Sequence, residues 1–174
     1  MDPKQKDNSE AQWIVVKTNP RAEKKVDKRL VDAGFTVFLP LITTVKIWSD
    51  RKKKVELPLI PSTLFVHITP ELVHTVYGTV GVHSVLKFLG KPAIVQDYEI
   101  KNLQILLNQK EEGNIEVVDR YKKGELVQVI GGPFEGLIAN VMQTPSRYRL
   151  VVSIESLGSG FVIDVPKSYV EKRS

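Results

Sequence analysis

The spacing of apolar residues changes period part-way along this 174-residue chain, and that change restricts the folds open to it. In the leading part, strand-like and helix-like patterns alternate. "WIVVKT" (Trp13 to Thr18) is β-branched and aromatic, which suits a strand. Asn19-Pro20 ends it, and Ala22, Val26, Leu30 and Ala33 then recur at helical spacings of four, four and three. Gly34 stands where a helix C-terminal cap belongs. "TVFLPL" (Thr36 to Leu41) is a second strand, broken by Pro40. "TTVKIW" and "KVELPLI" flank a polar "SDRKK" and predict a hairpin, and the strand "STLFVHI" follows. Thr69 as N-cap and Pro70 at the first helical position open a short helix through "ELVHTVY", which Gly78 closes. "HSVLKFL" is a further strand, Gly90-Lys91-Pro92 a turn, and Asp97 caps a helix carrying Ile100, Leu103 and Leu107. This order is the split βαβ arrangement of a ferredoxin-like α+β domain.

Around "NQKEEGNIEVVDRYKKG" the composition turns polar and the periodicity fades, as in a linker. Beyond it the pattern is strand-like only: "ELVQVI", "LIANVMQ", "YRLVVSI", "GFVIDVP" and "SYVEK", with turn signals between them. Several short strands in so brief a stretch predict a small barrel. Leu137 and Met142 read as packing within it. The expected organisation is a tail over 1–11, an α+β domain over 12–110, a linker over 111–120 and a barrel over 121–174.

Composition narrows the function. The chain has no cysteine, which removes disulfides and thiolate metal sites and suits a reducing cytoplasm. No apolar run approaches the ~18 residues of a membrane helix, and "MDPKQKDNSEAQ" lacks the apolar core of a secretory signal. The net charge of +5 permits contact with nucleic acid without requiring it. His67, His74 and His83 fit no zinc spacing. Neither a G-x-S-x-G elbow nor a Walker or Rossmann glycine pattern occurs. The residues therefore describe a binding protein and not an enzyme, with no cofactor and no metal.

"GELVQVIGGPFEGLIANV" places Gly131, Gly132, Pro133 and Gly136 around one aromatic, Phe134. Glycines admit positive φ, proline stiffens the turn, and the ring can fold back over the end of a barrel. The stretch resembles the KOW motif of NusG-family transcription factors, with Ala139 where that motif usually has glycine. "WIVVKTNPRAEKKVDKRLVDAGFTVFLPL" looks like the opening of a NusG N-terminal domain. "PLIPSTLFV" (Pro58 to Val66) resembles the family's Pro-Leu-Phe-Pro-Gly-Tyr-Val-Phe-Val signature. "PELVHT" and "KPAIV" are similar to segments of the RfaH paralogue, and "PLIPS" also resembles the UpxY-type antiterminators of polysaccharide operons. The two subgroups stay open.

The resemblance implies a ferredoxin-like NusG N-terminal domain, a linker and an SH3-like KOW barrel. It implies a cytoplasmic monomer that binds RNA polymerase and suppresses pausing or termination, specialised to certain operons. Contact with the clamp helices falls to an apolar patch of Ile60, Pro61, Thr63 and Phe65, and contact with the gate loop to His74 and Thr75. Thr63 stands where a tyrosine is common, and Lys17 where the paralogue has one. Non-template DNA could meet Lys17, Arg21, Lys24 and Lys25 on one side and Arg51, Lys52 and Lys53 on the hairpin. Ile154, Leu157 and Phe161 match a barrel loop that in the family touches a ribosomal protein or Rho. Each assignment has a plainer reading: Phe65 as a core aromatic, the lysines as solvated surface, the barrel residues as packing. An RNA- or ribosome-binding KOW protein without a polymerase role is the alternative function.

Overall fold

The computed structural model describes residues 10–108, 116–118, 124–143 and 147–173. The chain divides into two compact units, Met1–Ile94 and Val95–Ser174. The leading unit runs β1 (Gln12–Thr18), α1 (Glu23–Asp32), β2 (Thr36–Phe38), β3 (Leu41–Ile47), β4 (Lys52–Pro58), β5 (Thr63–Ile68), α2 (Val73–Tyr77), β6 (Val82–Val85), β7 (Lys87–Phe88) and β8 (Lys91–Pro92), with β9 (Ile94–Val95) at the border. Its central sheet has the order β2-β5-β1-β6. Helix α1 joins β1 to β2 across β5, and α2 joins β5 to β6 across β1, which is the split βαβ topology.

One face of this sheet meets the helices. Ile14 pairs across to Val66 and Val16 to Leu64, and these four side chains pack with Val26 and Leu30 of α1 and Val73 and Val76 of α2. Each aliphatic side chain sealed in this way contributes ~1.5–3 kcal/mol. Helix α1 ends as its sequence suggests. Gly34, at φ +91, donates to Val31 O at 2.9 Å, a backbone state that glycine adopts without penalty.

Two helix starts differ from expectation. Thr69 makes no side-chain cap bond, and Pro70–Leu72 form a 3-10 turn ahead of α2. Asp97 is the first residue of the third helix rather than its cap. Gln96 caps it, through a capping box in which the Glu99 carboxylate accepts from Gln96 N at 2.8 Å. A reciprocal pair outcompetes a lone aspartate because it satisfies two free amides at once.

The second unit contains α3 (Asp97–Leu107), β10 (Glu116–Val118), β11 (Leu126–Val129), β12 (Ile138–Gln143), β13 (Arg147–Ile154), β14 (Ser159–Pro166) and β15 (Val170–Lys172). The six strands form one antiparallel sheet in the order β10-β14-β13-β12-β11-β15. Strand β10 lies inside the stretch expected to be a linker, where it pairs with β14. Its β-branched Val117-Val118 can fill a ladder that the surrounding polar residues disguise. The remainder of 109–123, including the expected domain start at 121, lies outside the described residues, as do 1–9 of the expected tail.

Helix α3, which the sequence assigns to the leading domain, packs with this second unit. Asn102, 2% exposed, donates from Nδ2 to Ile138 O at 2.8 Å and accepts at Oδ1 from Ile138 N at 3.1 Å. Glu99 accepts from Glu155 N at 2.8 Å. A side-chain amide bonded both ways to one backbone unit does what a neighbouring strand would do. In the Gly131–Gly136 turn, Gly132 has φ +77 and its α-carbon faces the Tyr169 ring, so a Cβ there would lie 2.6 Å from Cε2. Tyr169 covers these glycines, while Phe134 is only half-buried. Leu137 is sealed as expected, whereas Met142 is 40% exposed.

Candidate functional site

Strand β5 presents two faces. Leu64 and Val66 point to the helices, and Thr63, Phe65 and His67 point the other way. On that second face the β1–β5 register sets Trp13 opposite His67, Val15 opposite Phe65 and Lys17 opposite Thr63, and β2 adds Phe38 opposite Phe65. The Phe38 and Phe65 rings stack with centroids 6.1 Å apart, and Trp13 meets His67 at 5.0 Å. The result is an aromatic and aliphatic stripe on the face away from α1 and α2.

The expected patch residues are brought near one another but not in the expected state. Thr63 and Phe65 are fully buried, Ile60 is half-buried and Pro61 is exposed. An open apolar hollow containing Phe65 is therefore corrected: this ring is sealed. Thr63 has its own partners, which explains why a hydroxyl is tolerated there. Its Oγ1 donates to Pro61 O at 2.9 Å and accepts from Lys17 Nζ at 2.8 Å. Burial lowers the Lys17 pKa, since desolvation disfavours the ammonium. Lys17 is thus half-buried and bonded within the sheet, unlike the exposed cations expected beside it.

The loop before β5 is shaped by a buried carboxylate. Ser62 has φ +53, and its N–H donates to Glu23 Oε1 at 2.8 Å, with Glu23 itself buried at the start of α1. His74 and Thr75 are exposed, and each makes a local bond: His74 Nδ1 lies 2.7 Å from Glu71 O, and Thr75 Oγ1 donates to Leu72 O at 2.6 Å. Thr75 lies on a cleft of about 630 Å³ shared with Phe35, His67, Thr69 and Leu72.

The remaining basic residues fall into two groups. Arg21, Lys24 and Lys25 lie exposed around the start of α1, where Lys24 reaches Glu56 of β4 at 3.4 Å. Arg51, Lys52 and Lys53 are exposed at the distal end of the β3–β4 hairpin. Sequence reasoning overlooked two neighbours of this second group. Lys46 stands directly opposite Lys53, and Trp48 at the turn is 56% exposed. The signal was present in "KIWSDRKKK", but cross-strand pairing is needed to see it. In the second unit Ile154 and Phe161 are fully buried and Leu157 half-buried. On the β13–β14 ladder Ile154 and Phe161 lie on the same side as Leu150, Val152 and Ile163, all buried, so core packing replaces the expected docking role for these two. Among the described residues no cluster of three or more His, Asp or Glu could hold a metal ion. No described helix is long and apolar enough to cross a membrane.

Comparison with known proteins gives the class. A family model described as transcription termination factor NusG matches residues 11–104, more than half of the chain. The chain belongs to the NusG family, whose members are transcription factors and not enzymes. A structure of Thermotoga maritima NusG, entitled for its domain interaction, matches with 21% identity and a TM-score of 0.51 over 94% of this chain and 98% of that one. This likeness is one of fold. The MjSpt4:Spt5 complex in conformation B matches at 19% identity over 93% and 97% of the two chains, with a TM-score of 0.29, too low to bear on the architecture.

Proposed function

We propose that this protein is a transcription elongation factor that docks on the clamp helices of RNA polymerase through the sheet face opposite α1 and α2, and that it suppresses pausing or termination at particular operons. The observation that supports this is the second apolar face. The helix-side core is complete without Val15, Phe38 and Phe65, so the stripe they form is a second apolar face that the helices do not cover, with Val15 and Phe65 themselves buried. Apolar area in excess of a unit's own core commonly serves a partner. Because Phe65 is sealed here, the face must open before the ring can anchor anything. Ile60 and Pro61 extend the stripe at its edge, while His74 and Thr75 are the residues proposed to meet the gate loop. A KOW-type barrel over 121–174 is the proposed second module, with Leu157 the remaining side chain of its loop accessible to a ribosomal protein or Rho. Arg21, Lys24, Lys25 and the hairpin cations are proposed to touch DNA phosphates.

Phe65→Ala tests the site. The protein should keep the circular dichroism of the wild type and lose affinity for purified polymerase core, because a few anchors supply most of the energy of such an interface. Loss of folding would assign Phe65 to the core alone. A folded variant with unchanged polymerase affinity would remove the stripe as the docking face. Binding to ribosomal subunits in place of polymerase would favour a KOW-type RNA- or ribosome-binding protein.

A further inference from the structure

The loop between β4 and β5 carries half-buried Ile60 and exposed Pro61 at its apex, the edge of the proposed docking stripe. Backbone bonds anchor both ends of this loop. Leu59 N donates to Pro40 O at 2.8 Å, and Thr18 N donates to Ser62 O at 3.0 Å. Between these anchors the chain turns through Ser62, whose φ of +53 puts a residue with a side chain in the left-handed region. Such a residue stays there only where its surroundings over-determine it, and strain of this kind collects at binding sites.

The group that holds Ser62 comes from another element. Glu23, in the first turn of α1, accepts from Ser62 N at its Oε1, 2.8 Å away. Glu23 is 7% exposed, and among the described residues no lysine, arginine or histidine nitrogen lies within 4.0 Å of its carboxylate. Burying a carboxylate without a cation is costly. The macrodipole favours an acid in the first turn, which accounts for a negative charge there. An exposed acid would serve that purpose equally, so the dipole does not account for a carboxylate turned inward to a loop. Arg21, two residues before Glu23, also has positive φ, at +62. Of the three described non-glycine residues with positive φ, two therefore sit at the two ends of this one hydrogen bond.

We propose that Glu23 is a positioning residue for docking: its carboxylate fixes the left-handed Ser62 peptide, and so sets Ile60 and Pro61 in the geometry that meets the partner before contact is made. The proposal deepens, and rests on, the reading of this sheet face as the polymerase-docking face. Without the carboxylate, Ser62 relaxes towards negative φ and the apex is correctly placed for only part of the time. Only that fraction can bind, so apparent affinity falls through slower association while the complex, once formed, lasts as long as before. Loss of a contact residue acts mostly on dissociation instead.

The test measures association and dissociation rates of the full-length protein with purified polymerase core, beside NMR amide exchange of Ser62 in the free protein. Glu23→Ala should speed exchange at Ser62 N and weaken binding about tenfold, all of it in the association rate, as expected for loss of one charge-assisted hydrogen bond. Adding Ser62→Gly to Glu23→Ala should restore most of the association rate, because glycine holds the left-handed state unaided. Should Glu23→Ala lose the circular dichroism of the wild type, Ser62→Val carries the test. A β-branched residue resists positive φ while Glu23 stays in place, so association should slow and dissociation should not change. Unchanged exchange at Ser62, wild-type association by Glu23→Ala, a defect confined to dissociation, or a double variant no better than Glu23→Ala would each overturn the proposal. A wild type that does not bind polymerase core would sink the docking reading and this role with it, whereas a binding wild type matched by Glu23→Ala would sink the role alone.

Discussion

Replacing Asn102 by alanine removes both hydrogen bonds that its buried carboxamide makes to the backbone of Ile138. Each bond contributes ~1 kcal/mol net, and a backbone group left without a partner costs up to ~3 kcal/mol. Ile138 is half-buried rather than sealed, so water can reach part of the gap and the lower end applies. The expected loss is therefore ~2 kcal/mol, or amide exchange roughly 30-fold faster at Ile138 when it is governed by local opening. The measurement is hydrogen–deuterium exchange of the full chain, read at the peptide containing Ile138, beside urea unfolding. Two further variants separate polar from packing effects. Asn102→Leu fills the space yet abandons both backbone groups, so it should be no better than alanine. Asn102→Asp still accepts from Ile138 N but sets a carboxylate oxygen against Ile138 O, and should also be destabilising. If all three stayed within ~0.5 kcal/mol of wild type, the level of ordinary surface changes, the bonds from α3 would not be holding β12, and the argument for a strand-mimicking side chain would be wrong.

Two smaller predictions concern the turn and the second sheet face. Gly132→Ala should cost ~1–3 kcal/mol, from left-handed φ plus a Cβ 2.6 Å from the Tyr169 ring. In thermal melts Tyr169→Ala should cancel the steric part and leave the backbone part, so strict additivity of the two changes would refute the contact. Lys17 has a lowered folded pKa, so its charged form is disfavoured by folding, and the wild type loses stability relative to Lys17→Met as pH falls from 10.5 through that lowered value. Urea midpoints of the two proteins should converge in strong alkali and diverge towards neutrality, with Lys17→Met the more stable. A pH-independent difference would show that desolvation is not the cause.

Much of the fold could be read locally. The order of strand and helix patterns, the hairpin around "SDRKK" and the glycine stop at Gly34 are carried by residues close in sequence, because side-chain period and permitted φ are properties of the chain itself. Asp97 misled because acidic residues suit both the cap and the first turn, and only the reach of Glu99 back to Gln96 decides between them. Strand β10 was hidden because its ladder partner, β14, lies more than forty residues away.

Alternation along an extended chain already places Phe65 and Leu64 on opposite faces of β5. It could not determine which of those faces is covered, because burial depends on neighbours brought in from elsewhere. Tertiary structure sealed Phe65, tied Lys17 to Thr63 and set Lys46 against Lys53 beside an exposed Trp48. Each of these depends on a cross-strand neighbour that no local stretch of sequence names.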